Sequence, residues 1–554
     1  MKNFLIPFLS ILFMTSSYGQ ITFTKTPLNM QLISRDLATN TGEITIEGSV
    51  NNNGSNYQSI EVEILRDNVL INTISNNLTY VSDIASFNFN FSITAELANY
   101  SIRIYGKNND VKTLEKEIVD IVSGDVYIIQ GQSNAEARQF NGNADIYQNN
   151  FIRVYGGGFF DSSTPLEWYL GQGNGTGYTA GNVGQWGLKL ANSIVNSTNI
   201  PVAIFNGANN GISLSFFLAP NDYMKSVNSN YGRLYYRLNH SGLKNNVRAI
   251  LWSQGESDAV SSGTASLYKD KFLQLKNSWL TDYPNVEQIY IFQTKNSCDM
   301  PIEGLMIIKE TQRQLADENS NITIIPTAAM THHSDNCHFP LVNGYEMFSD
   351  RIYPLINRDL YGVATSLDID SPMITKASLS NETTLMLETN STTDLEIATI
   401  AENFEFSANI PTTITNINVL DNKIILSLSN YPGLDDLKIS YLAQGQGLSG
   451  NFITNANGLE LICFYQFPVE SSTLSLENIS NFNKNIKLYP NPTSQFILIS
   501  GIENEENYII YNTLGIEMIK GIISDNEKIE IKNFPNGFYF LKFNNGNTLK
   551  FIKE

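Results

Sequence analysis

A serine that directly follows a predicted buried strand is the first residue of this chain suited to chemistry. Ser133 lies in the run GQSNA (131–135), where Gly131 permits a sharp turn that exposes the serine hydroxyl. A nucleophilic serine needs this geometry. The same pattern is also typical of a helix N-cap, because serine side chains accept hydrogen bonds from the first N–H groups of helices.

A second candidate is the pair Asp335 and His338, three residues apart and after the last predicted buried strand. On a tight turn the carboxylate can hold one imidazole nitrogen, which leaves the other nitrogen to take a proton from a serine. An ordinary surface turn is the alternative. His332 and His333 are neighbours, but they lack a carboxylate at the same spacing and rank lower.

Two further strand ends carry groups that could stabilise an oxyanion. The amide of Gln254 could donate a hydrogen bond, with Glu256 and Asp258 as acidic neighbours, and a glycine of the loop 206–213 could offer a backbone N–H. Each segment could equally be a structural polar loop. The glycine-rich loop 206–213 has neither lysine nor a GxxxxGK pattern, which argues against a nucleotide site.

These four segments follow four strands of one predicted sheet, and this convergence indicates an active site. Apolar runs that alternate with helical patterns predict a three-layer α/β/α domain over about residues 122–362, with chemistry at the carboxyl ends of its parallel strands. The predicted strands are 126–129, 202–205, 249–252, 289–292 and 322–325, and the predicted helices include 185–197, 264–280, 303–318 and 344–357.

The flanking segments alternate apolar and polar residues with period two, which predicts β-sandwich domains. We expect an N-terminal sandwich over 20–121 and a second one over 370–470. After a polar stretch, residues 484–554 read as a small all-β module with Pro/Asn/Gly turns.

The N-terminus predicts a secretory signal peptide over residues 1–19. Lys2 precedes the apolar stretch 4–14, and small residues lead up to Gly19. A buried N-terminal helix is the alternative. No later run of about 18 apolar residues follows, so we expect no membrane insertion.

Composition excludes several classes of protein. The 554 residues include 35 Lys+Arg and 54 Asp+Glu, a formal net charge of −19, which argues against nucleic-acid binding. A hydrophobic fraction of 42% excludes wholesale disorder. Three cysteines and four histidines leave little for a disulfide framework or a zinc cluster.

The motifs GQSNA (131–135), WSQGES (252–257) and DNCH (335–338), with the Gly211 loop, resemble the SGNH hydrolase superfamily. More narrowly they resemble the sialate O-acetylesterase and acetylxylan esterase family, carbohydrate esterase family six. The resemblance implies a flavodoxin-like fold for the central domain and no metal or cofactor.

The resemblance also implies a role for each site residue. Ser133 would be the nucleophile, His338 the general base and Asp335 the residue that orients it. The oxyanion hole would comprise the backbone N–H groups of Ser133 and Gly211 and the side chain of Gln254.

Two positions depart from the pattern of the wider superfamily. Gln254 stands where asparagine is usual, and Asn210-Gly211 replaces a commoner Gly-Gly. Glu256 matches a recurrent acid of the family, and its role, as a second partner of His338 or as a structural acid, stays open.

The C-terminal block resembles the sorting domain of the type IX secretion system, in the matches Tyr489-Pro490-Asn491-Pro492, 511–515 and 537–541. This implies that the type IX machinery exports the chain and releases it or attaches it to the surface. A carbohydrate-binding sandwich is the alternative.

Export would place the cysteines in an oxidising compartment. Cys298 follows the fourth strand and Cys337 adjoins His338, so we expect a disulfide that pins the Asp335–His338 loop. Two unrelated free cysteines are the alternative. Cys463 lies in an apolar run and is expected to be buried.

The predicted function is therefore a secreted serine esterase that removes O-acetyl groups from carbohydrates through an acetyl-enzyme. The alternatives are a non-catalytic glycan-binding surface protein and an SGNH esterase for lipid or other acyl esters. The acetylated sugar, the oligomeric state and the role of the sandwiches do not follow from the sequence.

Overall fold

The computed structural model describes most of the chain, in two compact units that span residues 1–470 and 471–554. The described residues are 21–52, 56–158, 166–222, 227–296, 298–397, 401–433, 435–442, 452–471, 486–502, 505–543 and 548–554. The signal peptide predicted at 1–19 lies outside them.

Residues 21–121 form two sheets, here called the N-terminal sheets, which share one apolar core. Isoleucines of β3 and phenylalanines of β6 meet isoleucines of β4 and β7 in that core, so alternate residues of each strand face inward. The strands are β1 (Ile21–Lys25), β2 (Leu32–Ser34), β3 (Thr41–Asn51), β4 (Ser59–Arg66), β5 (Val69–Asn77), β6 (Ile84–Thr94), β7 (Tyr100–Asn108) and β8 (Val111–Gly131).

Strand β8 belongs both to the N-terminal sheets and to the central sheet. Its first half pairs antiparallel with β7. Its second half continues into a parallel sheet, and Asp120 has a positive φ of 59° near the changeover. The boundary predicted at 121–122 therefore falls inside one continuous strand and not in a linker.

The central sheet has the strand order β10-β9-β11-β8-β12-β13-β14. Apart from the antiparallel pair of β10 with β9, all neighbours in this order are parallel. All five parallel strands expected from the sequence are present. The new strands are β9 (Ile152–Tyr155), β10 (Trp168–Leu170), β11 (Val202–Asn206), β12 (Val247–Ser253), β13 (Gln288–Phe292) and β14 (Ile322–Ile325).

Helices pack on both faces of the central sheet because alternate residues of its strands point to opposite sides. Val126 and Ile128 of β8 join a core with α3, α5 and α6, whereas Tyr127 and Ile129 join a core with α2 and α7. The helices are α1 (Ser133–Glu136), α2 (Gln185–Thr198), α3 (Asn230–His240), α4 (Ser262–Ala265), α5 (Tyr268–Asp282), α6 (Ile302–Glu318) and α7 (Glu346–Tyr361).

The second sheet segment, residues 374–471, contains three small sheets around one apolar core. Ala328 and Ala329, which follow β14, pack against this core. The strands are β15 (Ile374–Asn381), β16 (Thr384–Thr389), β17 (Leu395–Ile397), β18 (Phe404–Ser407), β19 (Ile414–Leu420), β20 (Lys423–Leu428), β21 (Lys438–Tyr441), β22 (Ile453–Asn455), β23 (Phe464–Pro468) and β24 (Glu470–Ser471).

The second unit is all-β, with a three-stranded and a four-stranded sheet around its own core. Its strands are β25 (Lys487–Tyr489), β26 (Phe496–Ser500), β27 (Glu506–Asn512), β28 (Glu517–Ile523), β29 (Lys528–Glu530), β30 (Gly537–Phe543) and β31 (Thr548–Lys553). Within the described ranges of the chain, no helix is long and apolar enough to cross a membrane. The structure is thus multidomain and rich in sheets, as predicted.

A buried carboxylate joins three parts of the first unit. Asp125, in β8, is 1% exposed and accepts hydrogen bonds from the Arg35 guanidinium at 2.9 and 2.8 Å. Arg248 of β12 donates at 3.2 Å and the Tyr361 hydroxyl of α7 at 2.7 Å. Asp125 therefore links the N-terminal sheets, the central sheet and the last helix of its layer.

We predict that Asp125→Ala lowers the free energy of unfolding by about 3–5 kcal/mol, because it removes the buried carboxylate that pairs with the partly buried Arg35 and the buried Arg248. Glu117→Ala is the matched control, since its pair with Arg103 is exposed on both sides and such pairs contribute about 0–1 kcal/mol. Equal losses in chemical denaturation for the two variants would contradict the prediction.

Candidate active site

Ser133 is the first residue of α1, directly beyond the end of β8. The turn depends on Gly131, which has φ +134° and lies so close to β12 that a Cβ would be 2.1 Å from the Ser253 carbonyl oxygen. The Gln132 N–H donates to that same carbonyl at 2.9 Å. The strand end is therefore held against β12, and Ser133 follows it at the rim of a cleft.

Asp335 and His338 form a closed hydrogen-bonded turn. Asp335 Oδ2 lies 2.7 Å from His338 Nδ1, and Oδ1 accepts the backbone N–H groups of Cys337 and His338, each at 3.0 Å. The carboxylate thus orients the ring and the backbone of His338 together. Glu256 makes no such contact, so Asp335 is the carboxylate bonded to His338.

Partial burial raises the pKa of Asp335, but the hydrogen bonds from His338 and Cys337 outweigh it and hold the pKa well below its usual range. The folded-state pKa is lower than the unfolded one. The ionised carboxylate therefore stabilises the turn at all pH values above the ordinary Asp pKa of about 4 and loses this effect only at lower pH.

Phe140 covers one face of the His338 ring. The two ring centroids are 4.1 Å apart and the planes differ by 13°. The Arg138 guanidinium lies 4.8 Å from the Phe140 ring centroid. The stack restricts rotation of the imidazole and brings a cation to the edge of the cleft.

A disulfide joins Cys298 and Cys337, whose Cα atoms are 4.3 Å apart. It links the loop after β13 to the residue before His338, as expected from the positions of the two cysteines. Cys463 is free and buried.

Asn134 connects the serine turn to two other strand ends. Its Nδ2 donates to Glu256 Oε1 and to the Cys337 carbonyl, each at 3.2 Å, and its Oδ1 accepts the Tyr345 hydroxyl at 3.1 Å. Asn134 is 1% exposed. The buried Asn134 amide therefore links the turn that carries Ser133 to the loop that carries His338.

Glu256 lies in the cleft and is 5% exposed. Burial raises its pKa, although backbone N–H groups and Asn134 oppose the shift. Its Oε2 has no hydrogen-bond partner among the described residues. Glu256 is thus a buried acid of the cleft wall, held by Asn134.

Gly211 reaches the cleft, whereas Gln254 does not. Gly211 and Asn210 line it, and Gly211 has φ +62°. The Gln254 amide instead donates to Asp258 Oδ2 at 2.6 Å and to the Ile212 carbonyl at 3.3 Å. The Gln254 amide is thus bonded to a carboxylate and a backbone carbonyl in this structure, and its role as an oxyanion donor stays a prediction.

The cleft has a volume of about 500 Å³ and is lined by residues that follow five strands of the central sheet, β8, β11, β12, β13 and β14. Ser133, Gly211, Glu256 and His338 all line it. The remaining lining residues are Gln132, Arg138, Asn210, Ser257, Val260, Cys298, Met300 and Cys337.

His332 and His333 are not among the lining residues described for the cleft. Burial, aided by the charge of Lys295, lowers the pKa of His332 to about 4. That His338 is the base, and not His332 or His333, stays a prediction.

Three contributors to the site were missed in the sequence: Asn134, Arg138 and Phe140. Their proximity to Ser133 was the available signal. Their contacts with the histidine loop, about 200 residues away in sequence, depend on the tertiary fold.

Comparison with known proteins agrees with this architecture. Residues 123–347 match the family described as carbohydrate esterase, sialic acid-specific acetylesterase. Residues 487–554 match the secretion system C-terminal sorting domain. The chain therefore combines a carbohydrate-esterase domain with a sorting domain that indicates type IX secretion to the exterior or the cell surface.

Individual relatives cover different parts of the chain. A carbohydrate acetylesterase from Xanthomonas citri is 16% identical, covers 79% of this chain and 98% of its own, and has a TM-score of 0.54. A protein from Arabidopsis thaliana is 18% identical, covers 42% of this chain and 97% of its own, and has a TM-score of 0.33.

The β-agarase A of Zobellia galactanivorans is 31% identical over 144 residues. The match covers 25% of this chain and 23% of the agarase, so the chain spans about a quarter of that curated relative.

The disulfide predicts the thiol count of the protein. Unfolded without reductant, the chain should titrate a single thiol, from Cys463, and after reduction it should titrate all three. Cys463→Ser is the matched control and should titrate none until it is reduced. Three thiols in the unreduced wild type would contradict the disulfide.

Proposed function

We propose that the protein is a secreted serine esterase that removes O-acetyl groups from carbohydrates. The observation that carries the proposal is that Ser133 and His338 line one cleft while Asp335 holds His338 Nδ1 at 2.7 Å. This leaves His338 Nε2 to act on the serine hydroxyl. The match of residues 123–347 to a carbohydrate-esterase family supports the same activity.

The proposed organisation follows the sequence motifs. A signal peptide (1–19) precedes a β-sandwich (20–121), and residues 122–362 form a three-layer α/β/α SGNH domain of flavodoxin-like type. A second β-sandwich (370–470) and the sorting domain (484–554) complete the chain. Helices on both faces of the parallel central sheet support the assignment of the middle domain.

In the proposed mechanism, His338 takes the proton of Ser133 as the serine oxygen attacks the acetyl carbonyl. The tetrahedral intermediate expels the sugar alkoxide, which receives the proton from His338. Water, deprotonated by His338, then attacks the acetyl-enzyme, and acetate leaves as Ser133 regains its proton. Asp335 stabilises the imidazolium formed in each half-reaction.

The backbone N–H groups of Ser133 and Gly211 are the first donors proposed for the oxyanion. Both residues line the cleft, and the N–H of Ser133 belongs to the first turn of α1, where helix N–H groups lack intrahelical partners. Gln254 could join them only by exchanging its bond to Asp258 for one to the oxyanion. We retain it as a proposed third donor.

The substrate class is proposed from the family match and from the cleft. Arg138 offers a cation, and Val260 and Met300 offer apolar side chains along the cleft. Release of acetate from acetylated sialic acids, acetylxylan and acetylated glucomannan would identify the sugar. Comparison of acetyl with octanoyl esters would separate a sugar deacetylase from a lipid esterase.

We predict that Ser133→Ala lowers kcat for p-nitrophenyl acetate by at least about 10³-fold, because no other nucleophile replaces the hydroxyl. Ser257→Ala is the matched control, since Ser257 lines the same cleft without a proposed role. Wild-type turnover by a folded Ser133→Ala protein would refute the assignment. A non-catalytic glycan-binding protein would show no activity in either form.

We predict that Asp335→Asn lowers kcat by about 10²–10⁴-fold, because an amide favours the wrong imidazole tautomer. An asparagine oxygen can still accept the N–H groups of Cys337 and His338, so the turn should persist. Glu256→Gln should reduce kcat less than Asp335→Asn does. The reverse order, measured on folded variants, would make Glu256 the partner of His338.

A further inference from the structure

The segment that leads into the histidine loop lies against the second sheet segment. Residues 326–330 follow β14 and precede the Asp335–His338 turn. Ala328 and Ala329 pack against the core of the second sheet segment. The segment that leads to His338 is therefore held in place by contacts outside the central sheet.

Glu460 is the polar part of this anchor. It lies between β22 and β23 and is 1% exposed. Its Oε1 accepts the Ala329 N–H at 2.7 Å, and its Oε2 lies 2.6 Å from Arg351 Nη2. Arg351 Nη1 in turn donates to the Pro326 carbonyl at 2.5 Å. One buried ion pair thus holds both ends of the segment 326–329.

A second contact holds the neighbouring loop to the same stretch of chain. Gln293, the residue after β13, donates to the Cys463 carbonyl at 2.9 Å and accepts the Cys463 N–H at 3.0 Å. The Gln293 carbonyl accepts the Thr327 hydroxyl at 2.6 Å. Residues 460–463 therefore anchor the two loops that the Cys298–Cys337 disulfide joins.

Hydrogen bonds connect this anchor to His338. The Met330 N–H donates to the Thr327 carbonyl at 3.1 Å, and the Thr331 N–H donates to the Asn343 carbonyl at 2.9 Å. The His333 N–H donates to the His338 carbonyl at 2.7 Å. These bonds fix Met330, Thr331 and His333, which lie between Ala329 and the histidine turn.

We propose that Glu460 is a positioning residue for His338 and that the second sheet segment is a required part of the active site. The inference rests on the proposed esterase function. Glu460 touches no reacting atom. Its carboxylate accepts the Ala329 N–H and pairs with Arg351 in a buried site, where loss of one partner leaves the other charge uncompensated.

Glu460→Ala should lower kcat about 10–100-fold, because misplacement of a catalytic group by a remote change commonly costs this much. KM should stay within about twofold of the wild-type value, since Glu460 is remote from the cleft. Glu470→Ala is the matched control: Glu470 belongs to the same segment, and its pair with Lys376 is exposed. It should leave kcat unchanged.

Glu460→Gln separates positioning from stability. Its amide oxygen can still accept the Ala329 N–H, while Arg351 loses its charged partner. We expect kcat to recover to within about threefold of wild type while the melting temperature stays low. A kcat that follows the melting temperature in both variants, with kcat normalised to folded protein, would overturn the inference.

Hydrogen–deuterium exchange gives a readout that needs no activity. Peptides that cover 326–340 should exchange faster in Glu460→Ala than in wild type and be unchanged in Glu470→Ala. Should Glu460→Ala not fold, Gln293→Ala removes the other anchor, leaves the ion pair intact, and should lower kcat and speed exchange in the same way. A folded Gln293→Ala variant with the wild-type kcat and the wild-type exchange rate over 326–340 would overturn the inference.

The two proposals fail in different ways. Absence of Ser133-dependent hydrolysis in the wild type would refute the esterase, and exchange alone would then decide whether Glu460 orders the loop. Wild-type activity with an unaffected Glu460→Ala variant would refute the inference and leave the esterase standing.

Discussion

The candidate active site depends on the hydrogen bonds that the Asp335 carboxylate accepts from the backbone and the ring of His338. A single small acceptor thereby sets both the path of the loop and the direction of the imidazole. Other contacts act on the same loop: Phe140 stacks on the ring, Asn134 holds the Cys337 carbonyl, and a disulfide fixes Cys337. Contacts from several elements thus fix the position of the Asp335–His338 turn at the cleft.

The central sheet explains why these groups meet. Parallel strands bring their carboxyl ends to one edge, so residues far apart in sequence come together there. The close packing of Gly131 against β12 fixes the position of Ser133 at that edge. The disulfide and the sorting domain are independent features that indicate the same oxidising environment outside the cell.

Much of the fold could be predicted from the sequence because its signals are local. Runs such as 126–129 and 289–292 are apolar throughout, as strands buried on both faces must be. The continuity of β8 across the predicted boundary was missed, because a change from alternating to continuous apolarity looks like a break between domains. Strand β9 was missed because Arg153 interrupts its apolar run, and β10 because it has only three residues.

The sequence by itself indicated which residues could do chemistry, since Ser133, Asp335, His338 and the cysteine pair are recognisable by residue type and spacing. Only the tertiary structure decided which groups face the cleft. It placed the Gln254 amide on Asp258 and joined Glu460 to the Ala329 N–H. Hydrogen-bond partners distant in sequence are chosen by three-dimensional proximity and burial, which residue spacing along the chain does not encode.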